Sequence, residues 1–119
     1  IGHLDKIKMF NISNKYFSED EQWYRRLTES VLYKIKEKGT IVEVNTRGLY
    51  RGKIKDYYPS DFLLKRCLDL DIPVTINTDC HKPEEIDAGV ADAREQLKRL
   101  GFKNIMILIE KDWQKESLD

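Results

Sequence analysis

Apolar side chains at Trp23, Leu27, Val31 and Ile35 recur at near-helical spacing and predict a helix that stops at Gly39. Ser18 and Glu21, three residues apart, have the capping-box form at its start. The period then changes, and residues 40–45 read as a short β-branched strand. Ser60 opens a second helix with Leu63, Leu64, Cys67 and Leu68 on its apolar side, and Pro73 bars its continuation. Residues 74–78 form the next predicted strand. Pro83 suits the first turn of a third helix, interrupted near Gly89 and ending at Gly101. Residues 104–109 read as a strand and residues 111–118 as a short terminal helix. This alternation predicts an α/β fold of parallel β/α units joined by right-handed crossovers.

The first two strands share a pattern that buried parallel strands lack. Ile41, Glu43 and Asn45 fall on one face, with Val42 and Val44 on the other. Extended onward, the second strand sets Thr75, Asn77, Asp79 and His81 against Val74, Ile76, Thr78 and Cys80. Strands covered on both sides read as continuous apolar runs. Here each has one apolar face for a helix layer and one polar face for a cleft or barrel interior. Residues 105–109, Ile-Met-Ile-Leu-Ile, are apolar on both faces and carry only a structural reading.

Composition narrows the function classes. The chain has 119 residues, enough for one domain with a modest core. Its 40% hydrophobic and 35% charged residues read as soluble and globular. Lys and Arg total 21 and Asp and Glu total 21, so no electrostatic footprint for nucleic acid or an anionic membrane is expected. No apolar run reaches membrane-spanning length, and no signal-peptide order opens the chain. Cys67 and Cys80 do not form a disulfide framework, and a reducing cytoplasm is the default location.

The candidate chemistry gathers at the end of the second strand. Asp79 and His81, two apart, would share a face and offer a carboxylate and an imidazole to one metal. The same alternation points Cys80 away from them, into the helix layer. Cys67 falls in the core. The chain's other histidine is His3, and the loop from Arg47 to Lys53 carries Arg51 as a candidate phosphate contact. Glu43 and Asn45 face the same interior, where Glu43 could hold the loop by hydrogen bonds.

Taken in order, Gly2-His3-Leu4-Asp5, Glu43-Val44-Asn45-Thr46-Arg47-Gly48-Leu49, Tyr58-Pro59-Ser60 and Thr78-Asp79-Cys80-His81-Lys82-Pro83 form a specific series. The chain resembles the carboxyl-terminal half of a histidinol-phosphatase of the PHP (polymerase and histidinol phosphatase) superfamily, from Ile1 to about Phe102. The resemblance implies that residues 1–119 are the carboxyl-terminal part of a single PHP domain, a half-barrel of a distorted β/α barrel. It assigns His3, Asp79 and His81 as ligands of a divalent metal cluster of zinc, iron or manganese, with no catalytic residue beyond them. It implies attack of a metal-bound hydroxide on a phosphomonoester, L-histidinol phosphate in histidine biosynthesis. Arg51, Asn45 and Lys8 become the substrate-binding residues, Lys8 standing where an Arg is expected. Arg47 stands where relatives usually have a small residue.

The resemblance also implies ligands that this chain lacks, namely an H-x-H, a Glu and a further His. By itself the chain is therefore expected to be inactive. Its expected partners are a small phosphorylated substrate, the amino-terminal half of the domain, and a second copy through the exposed barrel edge. A PHP-type nuclease or nucleotide phosphatase, and a non-catalytic PHP-derived module, remain the alternatives.

Overall fold

A computed structural model describes all residues, Ile1–Asp119. Its helices are α1 (Gln22–Glu37), α2 (Arg47–Tyr50), α3 (Asp61–Asp69) and α4 (Val90–Leu100). Its strands are β1 (Val42–Asn45), β2 (Val74–Asn77), β3 (Asn104–Ile109) and β4 (Asp112–Ser117). Short 3₁₀ turns cover Lys6–Phe10, Ile12–Asn14 and Pro83–Glu85. No helix is long and apolar enough to cross a membrane.

β1 and β2 pair in parallel, with Val42 opposite Val74 and Asn45 opposite Asn77. Their apolar faces, Val42, Val44 and Val74, lie in one core with Leu32 and Ile35 of α1, Leu63, Leu64 and Cys67 of α3, and Ala93 and Leu97 of α4. Each such buried aliphatic side chain contributes roughly 1.5–3 kcal/mol. Burial pushes the Cys67 thiol up to about 12. The amino terminus runs along the other edge of β1. The Ile1 amino group donates to Ile41 O at 2.7 Å, and Ile1 O accepts from the Glu43 N–H at 2.8 Å. Those two bonds carry His3 alongside the polar face of β1.

Gly101 ends α4 at φ 107°, a left-handed conformation that a side chain would strain, and α4 begins after the predicted interruption at Gly89. At the start of α1 the capping box is only half made. Glu21 accepts from the Ser18 N–H at 2.8 Å, but the helix begins at Gln22 and the Ser18 hydroxyl caps nothing in it.

Two expectations of fold are corrected, and one apolar face of the correctly expected α1 is left uncovered. The expected helix over residues 111–118 is instead the strand β4, because Glu110 (φ 49°) and Lys111 (φ 79°) form a two-residue turn that folds Asp112–Ser117 back on β3. The architecture is α/β, but it consists of one parallel pair and one antiparallel pair, not a continuous parallel half-barrel. β3 packs beside β2 without joining its ladder, one edge of β3 being used by β4. Finally, α1 buries Tyr24, Leu32 and Ile35, while Trp23, Leu27 and Val31 of the predicted stripe are exposed. These three, with Leu4, Ile7 and Phe17, line an apolar groove of about 180 Å³.

Candidate active site

The polar faces of β1 and β2 meet the amino terminus at a single point. Glu43 organises it. Glu43 Oε2 accepts from the His3 backbone N–H at 3.1 Å and from Asn45 Nδ2 at 3.3 Å, and Oε1 accepts from Asn77 Nδ2 at 3.0 Å. The same Oε2 stands 3.6 Å from His3 Nδ1. Gly2 permits this approach, since a Cβ there would lie 3.0 Å from Glu43 Oε2. Glu43 Oε2 lies beside Nδ1, just beyond hydrogen-bond distance, and the opposite, Nε2 edge of His3 faces Asp79.

On that edge, His3 Nε2 is 3.1 Å from Asp79 Oδ2 and 3.2 Å from Asn45 Nδ2. His3 (φ 52°) and Asp79 (φ 51°) both sit in the left-handed region, where non-glycine residues are held at some cost by their surroundings. β2 ends at Asn77, so the alternation that would have set Asp79 and His81 on one face stops before it reaches them. A turn arranges them instead. His81 Nδ1 lies 2.9 Å from Asp79 O and 3.8 Å from Asp79 Oδ1. The same turn exposes Cys80, which was expected to pack under the helices.

The fit of this donor set to a cation can be judged from distances. Two ligands of one tetrahedral zinc, each at about 2.0–2.2 Å, stand roughly 3.3–3.6 Å apart. His3 Nε2 and Asp79 Oδ2 are 3.1 Å apart, a hydrogen-bond separation that a shift of a few tenths of an ångström would bring to that range. His81 does not close a third corner: its ring turns to its own loop, and no three His, Cys, Asp or Glu side chains converge as a metal-holding group. The residues fit a cation as a pair of donors, with a third imidazole, 62% exposed, on the adjoining loop.

A cleft of about 290 Å³ opens over these groups, lined by His3, Asp79 and His81, by Lys6, Arg47, Arg51 and Lys53, and by Met9, Gly48 and Tyr58. The loop that brings the basic residues is pinned at both ends. The Asn45 N–H donates to Tyr58 O at 2.8 Å and the Tyr58 N–H returns to Asn45 O at 3.3 Å. Within it α2 lies so close to Ile54 and Tyr58 that a Cβ on Gly48 would come within 2.6 Å of a neighbour.

Two expected substrate contacts lie elsewhere. Asn45 is fully buried behind His3. Its Oδ1 accepts from the Arg47 N–H at 3.0 Å while its Nδ2 serves His3 and Glu43, so both of its donors are spent within the chain. Lys8 is buried too. Its Nζ is 3.1 Å from Asp5 Oδ2 and 2.8 Å from Asp56 Oδ1, and it donates to Tyr57 O. A lysine in a 3₁₀ turn follows no reliable facing rule, so its charge alone did not reveal this. Arg51 does line the cleft, 49% exposed. Lys6, Lys53 and Arg47 join it there; Arg47 and Lys53 belong to the loop expected to meet phosphate, though neither was singled out in it, and Lys6 was not foreseen. Behind them sits Glu85, also unforeseen. The signal was its place in the Pro83 turn, four residues after His81, where a carboxylate can reach back to that loop.

No family model matches the chain. Two curated proteins do, each named probable histidinol-phosphatase. The one from Deinococcus radiodurans is 26% identical over 105 residues, covering 88% of this chain and 37% of that protein. The one from Thermotoga maritima is 24% identical over 111 residues, covering 87% of this chain and 46% of that protein. The chain is similar to histidinol-phosphatases. That is the likeness its motifs carried, and it spans less than half the length of the curated relatives it matches.

Proposed function

We propose that this chain forms part of a metal-dependent phosphomonoesterase, with L-histidinol phosphate as substrate. The observation that carries the reading is the cleft in which the His3–Asp79 pair, 3.1 Å apart, faces Arg51 and its basic neighbours. Its support from relatives is the name that both carry.

In this reading His3 Nε2 and Asp79 Oδ2 hold a divalent cation of zinc, iron or manganese, and His81 turns in to join them. Glu43 keeps the His3 ring oriented through Nδ1. When bound, the metal lowers the pKa of its water and neutralises phosphate charge. The chain's own residues supply the rest. Arg51 takes phosphoryl oxygens and stabilises charge that grows on them in the transition state, and Lys6 and Lys53 raise the potential of the cleft. The remaining metal ligands come from the rest of the domain, which covers the apolar groove beside Trp23, Leu27 and Val31 and the open edge of the sheet. A cytoplasmic location suits an exposed thiol at Cys80.

Turnover of histidinol phosphate by the polypeptide that contains this chain is the test, run beside short oligonucleotides and mononucleotides. Preferred hydrolysis of histidinol phosphate, lost with chelator, is expected. Preference for a nucleotide or oligonucleotide would give the site to the nuclease alternative, and no turnover of any would leave the non-catalytic module. Residues 1–119 alone are expected to show none of the ordinary enzyme rates, on the order of 1–1,000 per second.

A further inference from the structure

Glu85 has no part in the reading above, yet it bonds more groups around the cleft than any other side chain. It lies at the end of the 3₁₀ turn Pro83–Glu85 and is 12% exposed. Its Oε2 accepts from Arg47 Nη1 at 3.0 Å, from the Tyr50 hydroxyl at 3.1 Å and from the His81 backbone N–H at 3.2 Å. Its Oε1 lies 3.4 Å from Arg51 Nη1. The His81 N–H, with Tyr50 and Arg47 adding to it against desolvation, holds this carboxyl below its ordinary range.

Arg47 is fixed along one edge only. Its Nη1 donates to Glu85, to the Tyr50 hydroxyl at 3.0 Å and to Asp79 O at 2.8 Å. Its Nε and Nη2 make no bond within the chain, and the side chain lines the cleft at 24% exposure. A guanidinium anchored through one nitrogen presents its other edge as a fork for two oxygens of a tetrahedral oxyanion. Much of the rotamer freedom that such a contact would remove is already gone, which favours binding.

We propose that Arg47 is the bidentate oxyanion contact of this cleft, with Glu85 as the positioning residue that aims it, and that the ligand is a phosphoryl group or inorganic phosphate. For that ligand class the inference rests on the phosphatase reading. Arg51, held by one long bond and half exposed, adds charge beside the fork.

The sign of one effect separates positioning from mere neutralisation. Removing a negative charge beside an anion site tightens anion binding by Coulomb's law. A weaker site after that removal means that aim was lost. Phosphate titration of the chain in the presence of chelator, followed by calorimetry, reads this for wild type, Glu85→Gln, Arg47→Lys and the double variant. Glu85→Gln is expected to weaken phosphate about tenfold, Arg47→Lys by a similar factor, and the pair no more than Arg47→Lys alone. The Arg47 Nε–H resonance should shift on phosphate addition in wild type and broaden or vanish in Glu85→Gln.

Unchanged or tighter binding in Glu85→Gln, or additive losses in the pair, would overturn the proposal. If Glu85→Gln does not melt cooperatively, Tyr50→Phe takes its place, removing one bond to Glu85 Oε2 and one from Arg47 Nη1 without changing charge. It should weaken phosphate by about two- to threefold, and wild-type affinity there would overturn the proposal equally. If wild type takes up no phosphate without metal, the proposal fails, while turnover of histidinol phosphate by the longer polypeptide still decides the phosphatase reading separately.

Discussion

Lys8 and Arg47 are both basic residues near a proposed phosphate site, and both meet acidic partners, but they finish in opposite conditions. Lys8 has three N–H donors and three acceptors, Asp5, Asp56 and Tyr57 O, and its side chain is 5% exposed. Nothing is left over. Arg47 has five donors, uses one nitrogen, and keeps the rest at the wall of an open cleft. Charge does not separate a structural cation from a binding one. Unspent donors facing solvent do.

The largest effect should come from breaking the closed cluster. Lys8→Met would leave Asp5, 97% hidden by its 3% exposure, as a carboxylate without its cation. Stranding one partner of a buried pair costs about 3–5 kcal/mol, so the urea midpoint should fall sharply. An unaltered midpoint would mean that Lys8 is not structural.

Next comes the open side. Arg51→Ala in the polypeptide that contains this chain should leave stability unchanged, because Arg51 makes one long bond at an exposed position. A lost charge-assisted contact of about 1.5–3 kcal/mol corresponds to a fall in catalytic efficiency of roughly ten- to more than a hundredfold. A stability loss with unchanged kinetics would reverse the contrast with Lys8.

A smaller, sign-dependent effect lies in pH. Burial raises the Asp5 carboxyl above its ordinary value of 3.8, ahead of what Lys8 and the Ser60 N–H recover. Its contribution to stability is complete below about that pH and is lost as pH rises through the folded value. Glu85 is lowered from 4.5, so its contribution is present above that pH and is lost as pH falls through its folded value. Urea midpoints across the acid range should therefore diverge. The gap between wild type and Glu85→Gln should close as pH falls, whereas Asp5→Asn should gain on wild type as pH rises. Slopes of the same sign in both variants would contradict the environments described.

Much of the fold was legible because the period carried it. The one-sided polarity of Glu43, Asn45, Thr75 and Asn77 correctly gave β1 and β2 a shared polar face, and glycine and proline marked the limits of α3 and α4. What failed did so where periodicity has no authority. Past Asn77 the left-handed Asp79 ended the alternation, which put Cys80 in solvent and turned His81 toward its own loop. The β3–β4 hairpin hid behind a turn made by Glu110 and Lys111, which carries no glycine. The stripe Trp23, Leu27 and Val31 obeys helical spacing perfectly well and still lies outside the core. Periodicity says which residues share a face, not what covers it.

The smallest effect is a count. In the folded chain an alkylating reagent should label Cys80 and spare Cys67, whose thiol is buried and raised to about 12. Rapid labelling of both would mean that the core around α3 is open.

The central claim is that the His3–Asp79 pair holds a metal on which phosphomonoester hydrolysis depends. Metal content and histidinol phosphate turnover, measured together on Asp79→Asn in the polypeptide that contains this chain, test it most directly. A carboxylate neutralises a dication and an amide does not, so the account predicts depleted metal, abolished turnover and an unchanged melting profile. Wild-type metal stoichiometry and wild-type turnover in that variant would contradict it.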